Sequence, residues 1–152
     1  SLFAAATKVG AIIAEKDFKY KNALEFYGKN LGLTFQIADD TLDYNSELKL
    51  FGKKIGQDFY EGKVTLPIIL VFQKANKEER DKLKEIFSKD DRAEKEFDYS
   101  LSLIKKYNVI KGCYQKAEHY INLASNSLSV FNDCEEKSIL ENLTSFSLER
   151  NF

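Results

Sequence analysis

An all-α chain is the fold class this sequence predicts, and three observations predict it. A single proline and seven glycines leave few breaks in 152 residues. Apolar residues recur at spacings of three and four along most of the length. Period-2 alternation of β-branched residues is almost absent. The length suits one domain with a sizeable core, and 43% hydrophobic with 31% charged residues describes a soluble globular chain. No internal repeat, low-complexity tract or interdomain linker is visible.

Residues 1–15, SLFAAATKVGAIIAE, form an Ala-rich helix whose small side chains permit close approach of another helix. Residues 16–21 are a polar break. A long helix follows from 22 to about 44 and carries Leu31, Phe35, Ala38 and Leu42 on one side. Residues 45–63 are a loop rich in glycine and lysine, and a loop longer than about a dozen residues points to function. Thr65 can cap the next helix, 66–74, whose first turn accommodates Pro67. Two charged amphipathic helices at 76–87 and 91–107 turn Leu83, Ile86 and Phe87, then Phe97, Leu101 and Ile104, inward. Ile110, Cys113, Tyr114, Ala117, Ile121, Ala124, Leu128 and Phe131 mark a long packed helix, and a last helix covers about 134–150.

Composition excludes several classes. Twenty-three basic residues against twenty-four acidic ones, a net charge of −1, give no reason to expect nucleic acid or an anionic membrane as main partner. The twelve Phe and eight Tyr follow helical spacing and read as core, not as base-stacking platforms. No apolar run approaches the roughly 20 residues that span a bilayer, and no secretory signal pattern is present. A cytoplasmic location is therefore expected. Cys113 and Cys134 have neither metal-ligand spacing nor a disulfide framework, and both read as reduced, buried or half-buried thiols. His119, between Glu118 and Tyr120, reads as a surface residue. Asp90-Asp91-Arg92-Ala93-Glu94 reads as a solvated helix start, with acids favourable near a helix N-terminus.

The second face of the long helix carries the chemistry. At about 100° per residue, Gln36, Asp39, Asp40 and Asp43 share one arc, with Gly32 on the same line. Like charges at that spacing repel, and the cost grows where water is scarce, so the cluster requires either free solvation or a cation. Residues 23–42 are largely apolar and aromatic, which favours the wall of a cavity. Oxygen-only donors suit a hard cation, and Mg²⁺ keeps several waters while taking one or two carboxylates and the phosphate oxygens of a substrate. Gly52-Lys53-Lys54-Ile55-Gly56-Gln57-Asp58-Phe59-Tyr60-Glu61-Gly62-Lys63 then supplies phosphate partners. Lysine is a point-charge phosphate binder, and glycine lets backbone approach closely. These residues read as a Mg²⁺-diphosphate site; an acidic helix face with an exposed loop is the plainer alternative. An EF-hand fits poorly, because Tyr44 and Leu50 occupy the positions of its turn glycine and closing glutamate.

Three ordered blocks, Phe35-Gln36-x-x-Asp39-Asp40-x-x-Asp43, Gly52-Lys53-x-x-Gly56-x-Asp58 and Glu61-Gly62-Lys63-x-Thr65-Leu66-Pro67, resemble the second aspartate-rich motif and following loop of the trans-isoprenyl diphosphate synthases, most closely the long-chain octaprenyl-type branch. The resemblance implies an all-α helical bundle of the isoprenoid synthase type. It implies that Asp39, Asp40 and Asp43 bind Mg²⁺, with Asp39 the most direct ligand, and that Gln36 lies beside the allylic substrate. Lys53 and Lys63 match lysines that contact the allylic diphosphate and its leaving group, whereas Lys54 has no counterpart. Arg150 resembles a basic residue near the family's C-terminus. The implied activity is prenyl transfer from an allylic diphosphate to isopentenyl diphosphate by a complete enzyme that pairs as a homodimer.

The resemblance covers residues 1–152 but only the C-terminal half of a family member. The first aspartate-rich motif, the Lys-Thr pair that precedes the Ala-rich helix, and the basic residues that hold isopentenyl diphosphate are absent, and half a metal clamp is not expected to turn over alone. A non-catalytic subunit of a heteromeric synthase and a helical metal-binding or structural module are the alternatives.

Overall fold

A computed structural model describes residues 1–44 and 55–149, and every regular element there is helical. In chain order these are α1 (Leu2–Ile13), α2 (Phe18–Leu42), α3 (Gln57–Tyr60), α4 (Leu66–Lys74), α5 (Lys77–Phe87), α6 (Glu94–Lys106), α7 (Val109–Ser127), a 3₁₀ turn (Leu128–Val130) and α8 (Glu135–Glu149). The expectation of an all-α chain holds for these residues. Gly52, Lys53, Lys54 and Arg150 lie outside them.

Boundaries shift where side chains override composition. α2 begins at Phe18 rather than near Asn22, because the Asp17 carbonyl already accepts the amides of Tyr20 and Lys21 at 3.0 and 3.3 Å. Polar residues alone do not break a helix. α6 begins at Glu94 rather than Asp91, since the Glu96 carboxylate reaches back to the Ala93 amide at 2.9 Å and fixes the start there. The helix expected through Phe131 tightens into the 3₁₀ turn after Ser127. Within the expected loop, α3 adds one unforeseen helical turn.

The chain divides into two units, residues 1–38 with 115–152 and residues 39–114. In the first, Tyr27 and Leu31 of α2 bury against Ile121, Ala124 and Leu128, with Leu24, Phe35, Phe131 and Leu140 packed around them. The buried Tyr27 hydroxyl donates to the Leu140 carbonyl at 2.8 Å, and burial pushes its pKa up to about 12. α1 lies close on α2: Thr7 donates to the Leu24 carbonyl at 2.5 Å, and any Cβ on Gly28 would collide with the Phe3 carbonyl.

The second unit is built around Phe59, which is fully buried, with the rings of Tyr60, Phe87 and Phe97 at 5.5, 5.5 and 5.3 Å. α4 packs on α5 and α6. Thr65 takes the N-cap position of α4, but its buried hydroxyl bonds no helix amide; it lies beside the equally buried Tyr44 hydroxyl without completing a standard hydrogen bond. Asn76 caps α5 reciprocally with Glu79. Glu79 also accepts from Lys106 and from the Tyr107 hydroxyl at 2.7 and 2.5 Å, tying α5 to the end of α6.

Of the expected inner faces, Leu83, Ile86, Phe97 and Ile104 are buried, as are Cys113, Ala117, Ile121, Ala124 and Leu128. Tyr114 is exposed instead, and Leu103 takes a core place that was not expected. Cys113 is buried as read, whereas Cys134 is exposed at the start of α8, where its sulfur accepts the Lys137 amide at 3.4 Å. His119 lies on the surface as expected, its ring 5.5 Å from that of Tyr120.

Candidate functional site

Asp39 and Asp40 stand on the last turn of α2, the first exposed and the second half-buried. Gln36, on the same helix within the first unit, is exposed. Asp43 follows just beyond Leu42, where the helix ends, although its amide still reaches the Asp39 carbonyl at 3.3 Å.

Asp43 has a second partner set. Its carboxylate accepts the Gln57 amide at 3.0 Å and the Asp58 amide at 2.9 Å, and its carbonyl accepts the Gly56 amide at 3.0 Å. These amides open α3 and have no partners within so short a helix, so a carboxylate aimed at them supplies both acceptor and favourable charge. Burial raises the Asp43 pKa, while the bonds from Asp58 and Gln57 pull it down. A carboxylate offers about four lone-pair directions, so Asp43 can anchor this turn and still border a cation.

Gly56 sits at φ +85, and a Cβ there would lie 2.8 Å from the Phe97 ring. Only glycine gives both the left-handed backbone and the space.

α3 ends in a Schellman cap. The Gly62 amide bonds the Phe59 carbonyl at 3.0 Å, the Lys63 amide bonds the Asp58 carbonyl at 2.9 Å, and Gly62 lies at φ +77 between them. Glu61-Gly62-Lys63 is thus a helix stop that sets Lys63 at a fixed place after the turn. The Lys63 ammonium pairs with Asp58 and Glu61, both at 2.8 Å, with its side chain still about half exposed. The Asp58 carboxylate, and after it Glu61, hold the lysine well above its ordinary pKa, so it stays cationic. Gln57 steadies Glu61 at 2.8 Å.

Asp39, Asp40, Asp43 and Lys63 therefore all belong to the second unit, three at the end of α2 and the fourth delivered by α3. Lys53 lies outside the described residues, and Gln36 belongs to the first unit. Among the described residues, no group of three His, Cys, Asp or Glu side chains gathers closely enough to enclose a metal ion. Two participants were not read from sequence. Glu61 belongs to a motif block, and its place before a glycine is the local signal of a helix cap. Arg92, read as part of a solvated stretch, is half-buried against Gly62, and nothing local in the sequence signals a partner thirty residues upstream.

A family model described as polyprenyl synthetase matches residues 1–104. The short chain isoprenyl diphosphate synthase of Methanothermobacter thermautotrophicus is 33% identical over 99% of this chain and 46% of its own length. A decaprenyl diphosphate synthase from Rhodobacter capsulatus superposes with a TM-score of 0.89 at 32% identity, covering 99% of this chain and 46% of that one. A polyprenyl synthase from Caulobacter crescentus, complexed with calcium and isoprenyl diphosphate, superposes with a TM-score of 0.88 at 34% identity over the same shares. The helices and their order are those of the all-α isoprenoid synthase class. The chain belongs to the polyprenyl synthetase family, and it spans between 35% and 46% of the length of the curated relatives it matches.

Proposed function

We propose that this chain is the C-terminal part of a polyprenyl diphosphate synthase, a prenyltransferase that joins an allylic diphosphate to isopentenyl diphosphate. The observation that carries this reading is the coupling of the acidic end of α2 to a capped turn that delivers Lys63, with Asp43 as the link.

The donor set fits Mg²⁺. It is all oxygen and partly exposed, which suits a cation that keeps waters and shares itself with a diphosphate. Calcium and an isoprenyl diphosphate in the Caulobacter relative support the same pairing. Asp39 would hold the ion most directly, with Asp40 and Asp43 beside it. When bound, Mg²⁺ neutralises charge developing on the departing diphosphate.

The chain's own residues do the rest. Lys63, kept cationic by Asp58 and Glu61, meets the diphosphate oxygens as the bond to the allylic carbon breaks, and Lys53 is assigned to the same group by resemblance. Preplaced positive charge lowers the cost of that separation because it needs no rearrangement at the moment of reaction. The isopentenyl double bond then attacks the allylic carbon, and loss of a proton restores an alkene. Gln36 is assigned beside the allylic substrate by the family resemblance alone. The N-terminal half supplies the first aspartate-rich motif, so this segment alone is not competent. The complete enzyme pairs as a homodimer, a reading supported by exposed apolar residues of α1 such as Leu2 and Ile13. No helix among the described residues is long and apolar enough to cross a membrane, which is compatible with a cytoplasmic enzyme.

A thermal-shift titration tests the reading. Mg²⁺ and inorganic pyrophosphate together should raise the melting temperature by more than the sum of their separate effects. A Mg²⁺ response indifferent to pyrophosphate would replace it with a plain metal-binding module.

A further inference from the structure

The turn that presents Lys63 is held at its far end by one side chain from elsewhere in the sequence. Arg92, in the connection between α5 and α6, donates to the Phe87 carbonyl at 3.1 Å and to the Tyr60 carbonyl at 3.4 Å, and its guanidinium lies over the Phe87 ring at 5.4 Å. A third contact, to the Asp90 carbonyl at 3.5 Å, folds the connection onto itself. Its Nε is buried and without a hydrogen-bond partner among the described residues. No carboxylate there forms an ion pair with Arg92, so its cation is directed at backbone carbonyls and an aromatic face.

The contact with Gly62 fixes the geometry. A Cβ on Gly62 would lie 2.7 Å from the guanidinium, so arginine and glycine back directly onto each other. Gly62 is the left-handed residue of the cap, and Lys63 is the residue after it. A planar, forked cation seated on the Tyr60 carbonyl and against Gly62 blocks the turn from unwinding toward α5 and α6. Lysine could carry the charge but not the fork.

We propose that Arg92 is a positioning residue for diphosphate binding: it clamps the Tyr60–Gly62 turn and so places the Lys63 ammonium. The inference rests on the reading of Lys63 as a diphosphate ligand.

The test is calorimetric titration of inorganic pyrophosphate, in saturating Mg²⁺, into the full polypeptide that carries this segment. Wild type is compared with Lys63→Ala, Arg92→Ala, Arg92→Lys, Gly62→Ala and the Arg92→Ala/Lys63→Ala double variant. Lys63→Ala and Arg92→Ala should each weaken binding about tenfold or somewhat more, the size expected for one hydrogen bond to a charged group, and the double variant should be little weaker than Lys63→Ala alone. Arg92→Lys should fall between wild type and Arg92→Ala. Gly62→Ala, which strains the left-handed cap and also crowds the guanidinium, should weaken binding at least as much as Arg92→Ala. Unchanged affinity in the Arg92 and Gly62 variants beside a weakened Lys63→Ala would overturn this inference alone. Additive losses in the double variant would also overturn it, since Arg92 would then act independently of Lys63. Unchanged affinity in Lys63→Ala would remove the diphosphate reading itself.

Discussion

The carboxylate of Asp43 accepts the backbone amide of Asp58 at 2.9 Å, and the side chain of Asp58 in turn accepts from Lys63 at 2.8 Å. The third aspartate of the acidic motif is thereby wired to the lysine that closes the following block. Spacing explains why Asp39, Asp40 and Asp43 fall on one arc. It does not account for the aspartate at position 58, whereas these two bonds do, its amide serving Asp43 and its carboxylate serving Lys63.

Removing that link has a defined cost. Asp43→Ala strands the amides of Gln57 and Asp58, and loss of a capping acceptor costs about 1 kcal/mol, within a range of roughly 0.5–2. Asp43→Asn keeps one oxygen acceptor and sheds a charge whose burial is unfavourable, so it should cost less. Urea unfolding of the two variants would show the order, and equal midpoints for wild type and Asp43→Ala would contradict the capping role.

Gly56 is the N-cap residue of the same turn. Alanine there must adopt φ near +85 and place its methyl against the Phe97 ring. Strain of this kind costs about 1–3 kcal/mol, and overpacking adds to it. A Gly56→Ala midpoint within error of wild type would show that the turn relaxes freely.

Glu79 gives a pH signature. Lys106 first, then Tyr107, lower its pKa to about 2. A carboxyl lowered on folding contributes stability that is present above its unfolded value, roughly 4.3, and lost as pH falls toward the folded one. The stability difference between wild type and Glu79→Gln should therefore be constant at neutral pH and shrink between about pH 5 and pH 2. A difference that does not move with pH would remove the ion pair from the account.

The two thiols should separate by reactivity. Cys134 is exposed and Cys113 fully buried. A thiol reagent should modify one cysteine quickly in the folded protein and both in denaturant. Fast modification of both without denaturant would contradict the packing of α7.

Much of this was legible in the sequence because helical periodicity is local. The apolar stripe of Leu31, Phe35, Ala38 and Leu42 and the acidic stripe beside it both follow from 3.6 residues per turn. The early start of α2 and the late start of α6 were not legible, since each depends on a hydrogen bond that a polar composition hides. The dual work of Asp43 was hidden for another reason: its amide partners lie fourteen and fifteen residues away, brought back by the chain's return. Arg92 is the extreme case, because its neighbours Asp90 and Asp91 are solvated as their composition predicts while it alone turns inward.

The most direct measurement is turnover of Asp39→Asn in the proposed complete synthase, with an allylic diphosphate and isopentenyl diphosphate at varied Mg²⁺. On the proposed assignment Asp39 is the most direct cation ligand, so its loss should lower kcat by about a hundredfold or more, the scale of removing one preorganised electrostatic contact, and should raise the Mg²⁺ needed for half-maximal rate. Turnover within twofold of wild type at every Mg²⁺ concentration would contradict the assignment of the acidic end of α2 to the metal-diphosphate site.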